Sequence, residues 1–403
     1  MRIILHTMYY LPDFGSAPIL MDELAGHLAA AGHEVEVVTT LPRTRGPEFS
    51  GLFYSRRANG RFVVKRFWTN TTPFPLGRLL AWNIYAAGAL LNLLTVRKGD
   101  VLFLRTPPLQ LGLPAFWAKA LRGARVLINV QDIHPDLAIE SGILRNPAGI
   151  RFAKALERWV YGLADRIAVI SDGFARNLRR KGVPDRKLAV LPNWVDTEFL
   201  KPGPKDNPVS RRHGLDGKFV VMYSGTISIS SNRALERTLE AAGLLAGDRE
   251  IVLAIVGEGL KRKALMEKAA ALGLANAVFL PFQPYRDLPE LLASSDVLLV
   301  PLDKDKSDLS VPSKLYTFMA SGRPVLGLAG PDSEVAVLLR ENDCGLTAPP
   351  DDPAAFAAAV RTLKASPERR RALGENARAY VVRRFAKDTI LRSYDELLRS
   401  MVS

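Results

Sequence analysis

Short runs that are apolar on both faces alternate with longer stretches of helical period along almost the whole chain. The first half carries such runs at 2–8, 34–40, 101–106, 125–132, 166–171 and 188–193. Helical patterns intervene at 16–31, 79–96, 109–121 and 150–163. After a Pro/Lys/Asn-rich stretch, LKPGPKDNPVSRRHG, the rhythm starts again with runs at 218–225, 250–257, 277–282, 297–302 and 324–329. Helical patterns lie between these at 232–247, 260–272, 287–294 and 314–320. Strands apolar on both faces and separated by helices predict parallel sheets covered on either side. The pattern therefore predicts an α/β protein of two Rossmann-like, doubly wound parallel-sheet domains, 1–199 and 218–380, with a linker at 200–217. Residues 353–403 read as helical. Their last part, 381–403, ends amphipathically in TILRSYDELLRSM and is expected to pack back on the first domain.

At 403 residues the chain is too long for one comfortable core, which agrees with two domains. Its single cysteine, Cys344, excludes an internal disulfide and points to a reducing compartment. The opening MRIILHTMYYLPDFG reads as a first strand and is too short in apolar residues for a signal peptide. No run reaches the length of a membrane span. The stretch 75–98, with Trp82, Tyr85, Arg97 and Lys98, suits either a buried helix or one lying on a membrane surface. Formal net charge is +14 and uneven: residues 1–200 hold 26 Lys and Arg against 16 Asp and Glu. A basic first half favours acidic partners such as lipid head groups or a diphosphate. Nucleic acid is excluded from the expected partners, because no recognised binding motif accompanies the charge.

The punctuation between these elements carries more specific information. YYLPDFGSAP, AVISDGFARNLRRKG, LAVLPNWVDTEFL, VMYSGTIS, LAIVGEGLKRKAL, VFLPFQPYRDLPELLASSDVLLVPL and PSKLYTFMASGRPV occur in this order across nearly the whole chain. Each is weak alone. Together they resemble the GT-B glycosyltransferases of family 4. NVQDIHPDLAIESGIL and VPSKLYTFMASGRPVL further resemble the bacterial transferases that build O-antigen, capsule or colanic-acid repeat units.

The resemblance implies an acceptor-binding first domain and a nucleotide-sugar-binding second one, facing a central cleft. It also implies a sugar donor activated as a nucleotide diphosphate, with a UDP-sugar expected. The implied acceptor is a saccharide linked to polyprenyl diphosphate at the inner face of the cytoplasmic membrane, on an anionic surface. No cofactor or metal is expected, and no metal-ligand spacing is present. Two alternatives stay open: a catalytically degenerate scaffold, and a nucleotide-sugar epimerase.

The resemblance also places residues. Pro312, Ser313 and Lys314 fall on the diphosphate-binding turn, with backbone N–H groups of Leu315 and Tyr316 aimed at phosphate; ordinary capping by Ser313 is the plain alternative. The family's two glutamates fall on Leu309 and Thr317, leaving Thr317 to bond the ribose, with Asp305 and Asp308 as substitutes upstream. The family's Arg and Lys after the glycine fall on Thr226 and Asn232, beside Gly225, so Arg233 or Lys314 must supply the missing charge. Ser228, Ser230 and Ser231 are further donors. Glu258 borders the donor, and Phe282, Gln283 and Pro284 occupy the base-binding loop. In the first domain Gly15 and Ser16 form the loop closing over phosphate. Gln131 replaces a histidine that bonds the donor sugar. Asp132 is the candidate for orienting or deprotonating the acceptor hydroxyl, with His134 as a second base or a structural ring.

Overall fold

The computed structural model describes residues 1–13, 15–42, 47–49, 51–60, 62–70, 76–227, 232–302 and 312–402. Leu309, Asp305, Asp308, Ser228, Ser230 and Ser231 lie outside the described residues. The chain forms two compact units, Met1–Asn193 with Asp388–Ser403, and Trp194–Lys387.

The first unit holds strands β1 (Arg2–His6), β2 (Glu34–Thr40), β3 (Tyr54–Asn59), β4 (Phe62–Phe67), β5 (Val101–Thr106), β6 (Arg125–Val130), β7 (Arg166–Val169) and β8 (Leu188–Val190). They form one sheet ordered β3-β4-β2-β1-β5-β6-β7-β8. Only the β3–β4 pair is antiparallel. The second unit holds β9 (Phe219–Ser224), β10 (Ile251–Val256), β11 (Ala277–Leu280), β12 (Val297–Pro301), β13 (Val325–Leu328) and β14 (Gly345–Ala348), all parallel, in the order β11-β10-β9-β12-β13-β14. Strands such as β10, IVLAIV, are buried at every position because helices cover both faces. The strand order reverses direction at β1/β5 in one sheet and at β9/β12 in the other. Crevices at the carboxyl ends of such switch points are where this architecture binds ligands.

Several elements differ from the sequence reading. The hairpin β3–β4 went unread because β3, YSRRAN, is an exposed edge strand with one buried residue, Ser55. Its turn begins at Asn59-Gly60, and Gly60 takes φ 60°. Strand β14 and the helix Glu334–Glu341 were also unread; each is short.

The stretch expected as a linker, 200–217, is part of the second unit. Asn207 caps the helix Pro208–Arg212 through a capping box, its amide reaches the Glu290 carbonyl, and Val209 and Leu215 are fully buried. Its Pro and Asn residues are capping and turn chemistry. The expected boundary at 380/381 falls inside one helix, Pro367–Phe385, whose Ala377, Val381 and Phe385 join the second unit's core.

The next helix, Lys387–Ser400, lies almost entirely in the first unit and buries Ile390, Leu391, Tyr394 and Leu398 there. Tyr394 Oη accepts from Asn129 Nδ2 at 2.8 Å, and Asp395 pairs with His33 at 2.6 Å. Among the described residues no helix is long and apolar enough to cross a membrane.

Candidate functional site

In the second unit, the loops after β9 and β10 are laced together beside one lysine. Gly225 follows β9 and its N–H donates to the Val256 carbonyl at 3.0 Å; Ile227 N–H donates to the Glu258 carbonyl at 2.9 Å. These bonds lace the first two loops so closely that a Cβ on Gly257 would lie 2.0 Å from the Gly225 oxygen. Gly257 also takes φ 143°, which side-chain-bearing residues avoid, so glycine is required there on two counts.

Lys314 opens the helix Lys314–Ala320 and reaches back over this lacework. Its Nζ donates to Tyr223 Oη at 2.8 Å and sits 4.0 Å from the centre of that ring. Tyr223 Oη donates in turn to the Thr226 carbonyl at 2.7 Å. A Cβ on Gly225 would lie 2.8 Å from Nζ, so the lysine end abuts the loop backbone. Burial lowers the Lys314 ammonium to about 7. Among the described residues no carboxylate pairs with it. A desolvated cation beside exposed loop backbone is a receptor for an anion.

The rest of this turn is arranged differently from the expectation. Ser313 is already helical, φ −55° and ψ −29°, and its hydroxyl makes no cap bond, so the plain capping alternative does not hold. The Leu315 N–H is spent on the Pro312 carbonyl at 2.9 Å. Leu315 is fully buried, and Tyr316 stacks on Phe385 at 4.0 Å. Both side chains are core. Thr317 is half-buried, its hydroxyl 3.5 Å from the Ser313 carbonyl.

Arg233 is exposed at the start of the helix Asn232–Leu245, and among the described residues nothing engages it. Between the two cations offered for the vacant family positions, geometry favours Lys314. The Glu258 side chain is exposed, 3.6 Å from Arg262. Phe282 is 52 % exposed with its ring edge against Gly257. Gln283 contacts His213 at 3.3 Å, and Pro284 precedes the short turn Tyr285–Asp287.

In the first unit, Gly15 takes φ 127° immediately before the helix Ser16–Ala30, and Ser16 is exposed on its first turn. Strand β6 ends at Val130, two residues sooner than expected, so Gln131 and Asp132 stand on the turn beyond it. Gln131 is buried with its amide engaged through both oxygen and nitrogen. Its Oε1 accepts from Asn193 Nδ2 at 2.9 Å and Arg105 Nη2 at 3.3 Å, and its Nε2 donates to Asn129 Oδ1 at 2.7 Å. The amide braces the turn, through a chain that runs on from Asn129 to Tyr394.

Asp132 is half-buried, and burial raises its carboxyl above the usual range against the pull of Arg105 and Arg78. Burial, with Arg78 adding to it, lowers His134 to about 4. Its ring meets Trp82 edge-on at 5.5 Å, and Arg78 lies over the same Trp82 at 5.0 Å. His134 is thus neutral at physiological pH and a weak base.

Arg105, half-buried and lowered to about 10 by desolvation of its guanidinium, is the group the sequence reading missed. Its signal is visible: an arginine inside the otherwise apolar strand VLFLRT must be held by partners or serve a site. Among the described residues no group of three or more His, Cys, Asp or Glu is placed to hold a metal ion.

Two α/β units, each with a largely parallel sheet and loops at its switch point, agree with the GT-B fold that the resemblance implies. Comparison gives the family. Residues 19–194 match the family described as "Glycosyl transferase 4-like domain", and residues 208–380 match "Glycosyl transferases group 1". The chain belongs to the GT-B glycosyltransferases of family 4 type. It is 28% identical over 409 residues to a putative colanic acid biosynthesis glycosyl transferase, WcaI, of Escherichia coli K12, covering 98% of both chains. It is 27% identical over 268 residues to the probable glycosyltransferase WbjE of Pseudomonas aeruginosa, covering 65% of each. In fold it is similar to Anabaena HepE in complex with UDP, at TM-score 0.74 and 18% identity, covering 99% of this chain and 100% of that one. It is likewise similar to WaaG, a glycosyltransferase involved in lipopolysaccharide biosynthesis, at TM-score 0.72 and 18% identity over 98% of both.

Proposed function

We propose that this chain is a retaining glycosyltransferase of surface polysaccharide biosynthesis. It would move a hexosyl or N-acetylhexosaminyl group from a UDP-sugar to a saccharide carried on polyprenyl diphosphate, at the cytoplasmic face of the membrane. The observation that carries the reading is Lys314: a buried ammonium over the Gly225 loop, held by Tyr223 and paired with no carboxylate among the described residues. The site is built for a ligand that brings negative charge, as a nucleotide diphosphate does. The names of WcaI and of the HepE–UDP complex support the polysaccharide and uridine parts of the proposal.

In the proposed reaction the bond from the anomeric carbon to the β-phosphate oxygen breaks while the acceptor oxygen bonds the same face of that carbon. Negative charge grows on the departing diphosphate, and Lys314 offsets it. The acceptor's proton passes to the leaving phosphate oxygen, so no strong general base is required. Asp132, with a carboxyl raised by burial, would orient the acceptor hydroxyl. Phe282 offers an exposed face on which a base can stack beside Gly257.

Incubation with UDP-, GDP- and dTDP-sugars and a polyprenyl-diphosphate saccharide, followed by nucleotide release and product mass, tests the reading. Release from a uridine donor with an extended lipid-linked product is the expected result. No release from any donor, with no nucleotide binding by calorimetry, would favour a scaffold. Conversion of the donor sugar without transfer would favour an epimerase.

A further inference from the structure

Helices of a water-facing domain normally turn polar residues outward. Three neighbouring helices of the first unit do the reverse. Helix Leu76–Asn92 lies beside Gly112–Arg122, and a Cβ on Gly112 would lie 2.5 Å from Val160 of the helix Pro147–Leu163, so the last two are in close contact. The outward face of Gly112–Arg122 reads Leu113, Phe116, Trp117, Ala120 and Leu121, an apolar stripe at helical spacing on the solvent side. Leu91 of the first helix is 64% exposed, Leu121 67% and Phe152 of the third 71%. Phe116 makes ring contacts with both Trp117 and Trp159, which joins the stripes into one aromatic face.

The charge around that face has one sign. Segments 76–98, 109–125 and 145–163 contain ten Lys and Arg and a single acid, Glu157. Glu157 is 2% exposed and bonded to Lys181 at 2.5 Å, so it presents no charge outward. Arg97, Lys98, Arg122, Arg125, Arg151, Lys154 and Arg158 are all exposed. Arg97 pairs with Glu34 at 3.1 Å and Arg125 lies 3.7 Å from Asp165, at the edge of the face. Apolar and aromatic side chains ringed by an excess of cations match one partner: the interface of an anionic bilayer, where the rings enter the acyl boundary and the cations meet head groups. The same helix that offers Leu80 and Leu91 outward turns Arg78 and Trp82 toward His134 and Asp132.

We infer that this three-helix face docks the enzyme on the surface of an anionic membrane and, on the reading that the acceptor is lipid-linked, delivers that acceptor's head group along helix Leu76–Asn92 to Asp132. The surface differs from the single helix, 75–98, that sequence suggested. Most of its anchors come from the other two helices.

The test is flotation of the full chain with vesicles of phosphatidylcholine alone and with about 30% phosphatidylglycerol. Wild type floats with the anionic vesicles, far less with neutral ones, and less again at high salt. The triple variant Leu113→Ser/Trp117→Ser/Phe152→Ser loses about tenfold or more in vesicle affinity, since each anchor contributes through its buried apolar area. Arg151→Glu/Lys154→Glu loses about fivefold for each charge removed, on anionic vesicles only. UDP binding by calorimetry stays at the wild-type value in both, which shows that the fold is intact. A chain that floats yet binds no nucleotide upholds this surface and sinks the transferase reading. Equal flotation of wild type and the triple variant overturns the inference. So does a wild-type dimer by light scattering that the triple variant turns into a monomer, with vesicle binding unchanged.

Discussion

Replacing Lys314 by methionine separates stability from function at a single side chain. Methionine keeps the unbranched shape and removes the ammonium. In the empty protein that ammonium is buried beside Tyr223 with no carboxylate partner among the described residues, and its proton is lost near pH 7. Holding it charged below that pH costs up to about 5 kcal/mol relative to water, at about 1.4 kcal/mol per tenfold change in acidity.

The sign follows from proton counting. Between about pH 7 and the ordinary lysine range the unfolded chain binds the extra proton, so Lys314 makes wild-type stability rise with pH. Lys314→Met removes that slope, and its Tm exceeds the wild-type value most at pH 6 and least at pH 9. Donor binding moves the other way. A charge-assisted bond to phosphate contributes about 1.5–3 kcal/mol, so UDP affinity at pH 6.5 falls about 10- to 150-fold.

Wild-type UDP affinity is flat below pH 7 and declines above it, because binding then requires proton uptake. Calorimetry at pH 8 in buffers of different ionisation enthalpy shows uptake approaching one proton per UDP, and the variant shows none. Unchanged UDP affinity in Lys314→Met, or pH-independent binding by wild type, would refute the assignment.

Three further outcomes are expected. Arg105→Met leaves UDP affinity unchanged but lowers the transfer rate by about tenfold through a slackened Gln131–Asp132 turn. Because Arg105 holds the Asp132 carboxyl down, the variant's rate–pH profile shifts to higher pH, and a profile identical to wild type would reject the coupling. Gly257→Ala, which drives a methyl into the Gly225 carbonyl and strains φ, costs more than about 2 kcal/mol in urea unfolding and abolishes UDP binding; a functional, equally stable variant would contradict the close packing. Asp395→Asn weakens the hold of helix Lys387–Ser400 on His33 by about 1 kcal/mol at neutral pH. His33 and Arg399 hold the Asp395 carboxyl below its ordinary value, so its contribution is present above the carboxylate range and fades as pH falls. The two proteins therefore converge in Tm under acid, and a constant gap would count against the pairing.

Both sheets were legible in the sequence because fully buried parallel strands write themselves as apolar runs. What stayed hidden has physical reasons. The edge strand β3 is exposed and basic, so only the Asn59-Gly60 turn announces its hairpin. The 200–217 stretch looked like a linker because prolines and Asn207 that terminate and cap elements have the composition of mobile chain. At the candidate site, position along the chain pointed to Lys314 but not to its company: Tyr223 is a core-strand residue until the fold sets its hydroxyl beside Nζ. Gln131 was expected at the end of the strand and stands on the turn beyond it, where its amide meets neighbours the sequence does not announce. Only the structure reveals Asn129, Arg105 and Asn193 consuming its amide. The Leu315 amide was lost to the reading in the same way, to a turn bond from its own helix start.

The bipartite make-up of the first unit has a consequence for how the protein is made. Its core needs Tyr394, Leu391 and Leu398, which leave the ribosome only after all of Trp194–Lys387 has emerged. During synthesis the second unit is complete in sequence while the first still lacks the helix that seals Asn129 and Leu191. The nascent chain thus holds the whole sequence of its second unit before its first unit can close. Truncation just after Lys387 would therefore leave the first unit, not the second, without part of its core.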